Sequence, residues 1–259
     1  MIELNGVSKD FVSRRGTVAA LRGIDLVAAE GEFVAVVGRS GCGKSTLLRI
    51  VAGLLTPTTG QVRIAGEPVT GPRPDVSILF QRPALLPWRT VLANVLLPIE
   101  IAHRRPTSEH LDRARGLLET MGLTTFQKRL PHELSGGMQQ RVALCRSLIQ
   151  QPRVLLMDEP FSALDALTRE ELAGELQRLH QQFAATVVLV THSIEEAVLL
   201  ADRVIVFTPR PGRVRTVLDI GIPRPRTLGT GAHAPAIASR SAELHQLLVG
   251  GDDRSEAAH

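Results

Sequence analysis

The sequence predicts an α/β fold with an inserted helical portion, on three observations. A glycine-rich loop at residues 38–45 stands between an apolar run and a helical one. Short apolar segments recur along the chain, separated by stretches of helical spacing. Between about 86 and 152 the strand-like runs stop, and only helical patterns remain.

The elements follow in order. Phe33-Val34-Ala35-Val36-Val37 is short and apolar throughout, as a strand buried on both faces should be. It leads into Gly38-Arg39-Ser40-Gly41-Cys42-Gly43-Lys44-Ser45, a full match to the phosphate-loop pattern G-x-x-x-x-G-K-[ST]. Thr46-Leu47-Leu48-Arg49-Ile50-Val51-Ala52 continues with helical spacing, and Gly53 ends it. Strand, loop and helix are the context this pattern needs. The backbone N–H groups from Gly38 to Thr46 can then converge on phosphate oxygens, helped by the partial positive charge of the helix start. Lys44 is placed to reach the β- and γ-phosphates, and Ser45 to ligate Mg²⁺. The runs 76–80, 154–157, 186–190 and 203–207 repeat the doubly apolar pattern and predict further buried strands of one α/β core. In the insert, Ser108–Glu119 is an amphipathic helix closed by Gly122, and a second helix is expected from about Met138 to Gln150. After 220 the chain is rich in Pro, Arg, Gly and Ala. Ala242–Val249 is predicted as a last helix and 250–259 as a frayed tail.

Composition narrows the function classes. The chain has 259 residues, 44% of them hydrophobic, enough for one domain with a sizeable core and a subdomain. No apolar run approaches the roughly 18 residues of a spanning helix. Met1-Ile2-Glu3-Leu4-Asn5 has neither a basic leader nor an apolar stretch, so a cytoplasmic protein is expected. Aromatic residues make up 3%, with no Tyr and one Trp, which argues against a stacking platform for nucleic acid. The formal charge of +4 is mild and fits a solvated, Arg-rich surface. The two cysteines, Cys42 and Cys145, fall in the phosphate loop and in a helical run, which supports neither a disulfide nor a metal site.

Two further motifs carry chemistry. Val154-Leu155-Leu156-Met157-Asp158-Glu159-Pro160 is a buried strand that delivers two carboxylates to its C-terminal end, the ligand edge of an open α/β sheet. Asp158 is placed to support Mg²⁺, and Glu159 to orient and deprotonate an attacking water. Leu134-Ser135-Gly136-Gly137-Met138-Gln139 precedes a helical run and forms a second candidate anion site, or a plain N-cap on Ser135.

Leu134-Ser135-Gly136-Gly137 resembles the signature of ATP-binding cassette (ABC) proteins, and the other cassette motifs follow in order. Gln81 is similar to the Q-loop glutamine, Ser162-Ala163-Leu164-Asp165 to the D-loop and His192 to the switch histidine. The resemblance covers residues 38–192. It implies a P-loop NTPase (RecA-like) core, about 2–85 and 153–222, with an N-terminal antiparallel β portion. It also implies a helical subdomain over about 86–152, within an ATP-binding domain spanning 2–232, followed by a C-terminal helix and tail at 233–259. It implies a head-to-tail homodimer, each ATP held between one phosphate loop and Ser135, Gly136 and Gly137 of the other copy, with Asp165 nearby. Glu159, His192 and Gln81 take the catalytic roles, and Ser45, Gln81 and Asp158 surround Mg²⁺. Phe11, near the N-terminus, is the candidate to stack on the base. His192-Ser193-Ile194-Glu195-Glu196 also reads as a capping box, with Ser193 at the N-cap and Glu196 returning to it.

Lys44 and Ser135 stand 91 positions apart, which leaves no room for a coiled-coil arm, and the single cassette carries no fused membrane segment. That favours the separate ATP-binding subunit of an importer over repair or tandem soluble ATPases. Gln81-Arg82-Pro83-Ala84-Leu85-Leu86-Pro87-Trp88-Arg89-Thr90-Val91 is similar to the nitrate/sulfonate/taurine importer cassettes. So are Thr208-Pro209-Arg210-Pro211-Gly212-Arg213 and Ile222-Pro223-Arg224-Pro225-Arg226. These strings are expected to lie outside the ATP site and to mark lineage. The implied partners are a second copy, integral membrane permease subunits and, indirectly, a solute-binding protein. The implied place is the cytoplasmic face of the inner membrane, with residues 82–95 facing the permease.

Overall fold

The computed structural model describes residues 1–14, 16–228 and 231–249. In chain order these form β1 (Ile2–Ser13), β2 (Gly16–Ala28), β3 (Phe33–Val37), α1 (Lys44–Val51), β4 (Thr59–Ile64), β5 (Glu67–Pro68) and β6 (Val76–Leu79). Three helices follow, α2 (Val91–His103), α3 (Ser108–Thr120) and α4 (Gly136–Leu148). The chain then runs through β7 (Val154–Asp158), α5 (Ala166–Phe183), β8 (Thr186–Thr191), α6 (Ile194–Leu200), β9 (Arg203–Phe207), β10 (Val214–Asp219) and α7 (Ala234–Val249). Each of the five apolar runs forms a strand. The predicted tail, 250–259, lies outside the described residues.

The chain divides into two compact units, Met1–Arg73 with the chain from Thr186 onward, and Pro74–Ala185. In the first, β1 and β2 form a long antiparallel hairpin, and the sheet order β2-β1-β4-β5 supplies the expected antiparallel portion. The same unit places β3 between β8 and β9, parallel to both, with β10 antiparallel on β9. Every residue of β3 and β8 is buried. Each large aliphatic side chain so buried contributes roughly 1.5–3 kcal/mol, which holds these strands in the core.

In the second unit β6 and β7 pair in parallel, Leu79 opposite Met157, and α4 packs against β6. This unit is larger than the helical span expected at 86–152, because the β6–β7 pair and α5 cluster with the helices. Helix α2 escapes a periodicity reading because Pro98 lies inside it. Thr90 caps its start, accepting from the Ala93 amide at 3.3 Å. Helix α7 begins at Ala234 rather than Ala242. Pro235 falls in its first turn, where the missing N–H leaves no bond unmade.

Candidate functional site

The first unit carries Phe11, the phosphate loop and His192. Val37 and Thr191 are register partners on adjacent parallel strands, so Gly38 and His192 emerge at the same C-terminal end. Gly43 caps α1 with φ 105°, and a Cβ there would meet the Ala20 carbonyl and Leu21 Cδ2 at 2.7 Å each. Glycine is therefore required twice over, by backbone conformation and by contact. Lys44 is buried within the loop, and its Nζ donates to the carbonyls of Gly38 (2.8 Å) and Arg39 (3.1 Å). Arg39, Ser40 and Gly41 are exposed, while Ser45 and Thr46 are half-buried in the first turn of α1. Burial raises the Cys42 thiol pKa, although Lys44 pulls against it, so Cys42 stays a neutral packing group. Phe11 is 42% exposed, opposite Val18 near the hairpin tip, with Lys9 Nζ 5.5 Å from its ring centroid. It is an available ring face and not a core residue.

His192 stands in a tightly bonded turn. Thr191 Oγ1 donates to Glu196 Oε2 at 2.5 Å and accepts from the Ser193 amide at 3.0 Å. Ser193 Oγ accepts from the Glu196 amide at 3.2 Å, so the expected N-cap forms. Beside this cap, the Thr191 hydroxyl takes both the Ser193 amide and the buried Glu196 carboxylate. No sequence signal separates these outcomes, since a strand-end threonine and a capping-box glutamate compete for the same donors.

The second unit carries Gln81, Ser135–Gly137, Asp158, Glu159 and Asp165. Gln81 Nε2 donates to Ser162 Oγ at 3.0 Å, and Ser162 Oγ donates to the Glu159 carbonyl at 3.0 Å. Glu159 itself has φ 47°, in the left-handed region. Ser162, read only as part of the D-loop string, is thus the link between Gln81 and Glu159. Ser135 caps α4, accepting from the Met138 amide at 3.3 Å. A Cβ on Gly137 would lie 2.6 Å from Thr168 Cγ2, and Thr168 is held by Asp165 through its amide (3.0 Å) and hydroxyl (2.8 Å). Those two bonds lower the Asp165 pKa.

The strings read as lineage marks have structural duties. Arg226 is buried and donates to the carbonyls of Val198 and Ala201, both at 2.7 Å, satisfying the C-terminal end of α6. Arg224 adds a bond to the Leu200 carbonyl and one to Asp202. Thr208–Arg213, expected to lie outside the ATP site, borders the phosphate loop, where Gly212 packs against the Cys42 carbonyl. Trp88 is 74% exposed.

The sequence pattern of the ABC transporter family matches residues 21–162. An uncharacterized ABC transporter ATP-binding protein of Methanocaldococcus jannaschii is 47% identical over 87% of this chain and 84% of its own. The chain belongs to the ABC transporter family. It is an ATP-binding cassette, the ATPase type of subunit. Within the family it is 45% identical to the nitrate import ATP-binding protein NrtD of Synechocystis, over 86% of this chain and 83% of that one. It is 42% identical to the bicarbonate transport ATP-binding protein CmpD of the same organism, over 87% and 80%. Among solved structures, a dimeric ATP-binding cassette in a post-hydrolysis state bound to ADP and Pi matches with TM-score 0.75 and 35% identity. That match covers 85% of this chain and 98% of the other.

Proposed function

We propose that this cassette powers import of a small anion, working as a head-to-tail pair of copies docked on a membrane permease at the cytoplasmic face of the membrane. The observation that carries the nucleotide reading is the phosphate loop, where Lys44 is drawn among carbonyls and Gly43 admits no side chain. The anion class draws on the relatives named for nitrate and bicarbonate import and on the resemblance to sulfonate and taurine cassettes. A separate solute-binding protein would choose the cargo.

In this reading the amides of Gly38–Thr46 bind the phosphates, Lys44 neutralises them, and Phe11 stacks on the base. Ser135, Gly136 and Gly137 of the second copy complete the cage. Ser45, Gln81 and Asp158 are oxygen donors, the type that Mg²⁺ selects. Bound there, Mg²⁺ neutralises charge building on the phosphate oxygens. Glu159 orients a water in line with the γ-phosphate and accepts its proton, while His192 hydrogen-bonds the γ-phosphate. The chain's own contribution is positioning and charge complementarity.

Glu159→Gln tests the assignment. It should bind ATP with unchanged affinity yet release phosphate at least about a hundredfold more slowly. Wild-type turnover in that variant would remove Glu159 from the base role. Co-expression with the candidate permease should carry the cassette into the membrane fraction. A cassette that stays wholly soluble would favour action on another macromolecule.

A further inference from the structure

The turn Thr208–Arg213, between β9 and β10, is closed on itself. The Thr208 amide donates to the Arg213 carbonyl, and the Arg213 amide to Thr208 Oγ1, both at 3.0 Å. Thr208 Oγ1 also donates to the Pro211 carbonyl at 3.2 Å. This closed turn joins two other backbones. The Gly212 amide donates to the Ala20 carbonyl at 2.9 Å, and its carbonyl accepts from the Arg22 amide at 3.0 Å, so Gly212 pairs with Leu21 as in a parallel sheet. Arg210 Nε adds a bond to the Ala19 carbonyl at 3.2 Å. A Cβ on Gly212 would overlap the Cys42 carbonyl oxygen and lie 3.2 Å from Leu21 Cδ2. Gly43 closes the triangle against Ala20 and Leu21. Three backbone segments, at residues 19–22, 42–43 and 212, therefore meet with no side chain of either glycine between them.

The φ of Gly212 is not in the left-handed region, so its backbone conformation would accept alanine. Contact alone keeps the position bare. The contacted peptide belongs to the loop whose amides must converge on phosphate oxygens. A shift of about half an ångström there spoils several hydrogen bonds at once. We propose that Thr208–Arg213 is a positioning element for the phosphate loop, with Gly212 its contact residue. The same turn holds the strand carrying Val18, the partner of Phe11, and so fixes the base-stacking hairpin against that loop. The inference deepens the nucleotide reading above and rests on it.

The test is ATP affinity by titration calorimetry, together with KM and kcat for phosphate release. Gly212→Ala should raise the dissociation constant and KM for ATP about tenfold, with kcat at saturation within about twofold of wild type. Thr208→Ala, which loosens the turn without a clash, should move KM the same way by a smaller factor. Thr208→Ser, which keeps the hydroxyl, should restore it. The threonine pair decides the matter if Gly212→Ala does not fold. A lower melting temperature with unchanged ATP affinity and KM in the variants would overturn the proposal and leave a purely structural turn. Wild-type protein that binds no ATP would overturn the nucleotide reading, and this inference with it.

Discussion

Glu159 holds its carboxylate on a left-handed backbone at the end of β7, a conformation that costs a non-glycine residue about 1–3 kcal/mol. Ser162 offsets this by donating to the Glu159 carbonyl from both its amide (3.2 Å) and its hydroxyl (3.0 Å), while Gln81 donates to that hydroxyl. A strained residue secured by its neighbours is the arrangement expected where side-chain direction matters more than local stability. Glu196 plays a comparable part for His192. Its carboxylate accepts from Thr191, whose hydroxyl accepts the Ser193 amide, so the backbone is pinned on both sides of the histidine. Glu196→Ala should slow phosphate release about tenfold while ATP affinity holds, and Glu196→Gln, whose amide oxygen still accepts, should keep most of the rate. An equal loss in both variants would show that the charge matters, not the hydrogen bond. The capping-box pattern drew Glu196 toward Ser193 in the sequence. Only the position of the Thr191 hydroxyl redirects it.

Among the elements, β3 and β8 were the most legible, because strands buried on both faces are apolar along their length, β8 keeping threonine only at its two ends. Helix α2 was the least legible, since Pro98 interrupts its pattern, and its anchor is polar. Asn94 is fully buried on α2, accepting from the Leu86 amide (2.8 Å) and donating to the carbonyls of Leu86, Arg89 and Thr90. Asn94 thus holds the loop that displays Trp88 from one side, and Arg146 holds its start through the carbonyls of Pro83 and Ala84. Asn94→Ala should destabilise the protein by about 3 kcal/mol, since it leaves several buried backbone groups unmatched. Trp88 is the only tryptophan, so its fluorescence anisotropy should fall in the same variant. An unchanged anisotropy would mean the loop is held by other contacts. Helix α5 carries a pH signature. The Asp165 pKa is lowered by its bonds to Thr168, so its cap contribution is present above the ordinary carboxylate value. It is lost as pH falls through the lowered folded value.

For the whole molecule, the proposed dimer makes a prediction that neither half-site can make alone. If each ATP is held by the phosphate loop of one copy and Ser135 of the other, Lys44→Ala and Ser135→Arg should each be inactive as pure proteins. A mixed dimer then contains one site with both partners intact. Mixing the two variants should restore about a quarter of wild-type phosphate release, the share expected when half the dimers are mixed with one good site each. No recovery on mixing would place both halves of the site in one copy.

The sequence by itself determined the five apolar strands β3, β6, β7, β8 and β9, the phosphate loop and the order of the cassette motifs. Their residues are dictated locally, by burial on two faces, by glycine conformations and by the charge a phosphate needs. Only the tertiary structure decided the supporting contacts. Ser162 links Gln81 to Glu159, Thr191 claims Glu196, and Gly212 meets Cys42 from 170 residues along the chain. These contacts leave no local pattern, because a hydroxyl's partner and a glycine's neighbour are set by which backbones the fold brings together.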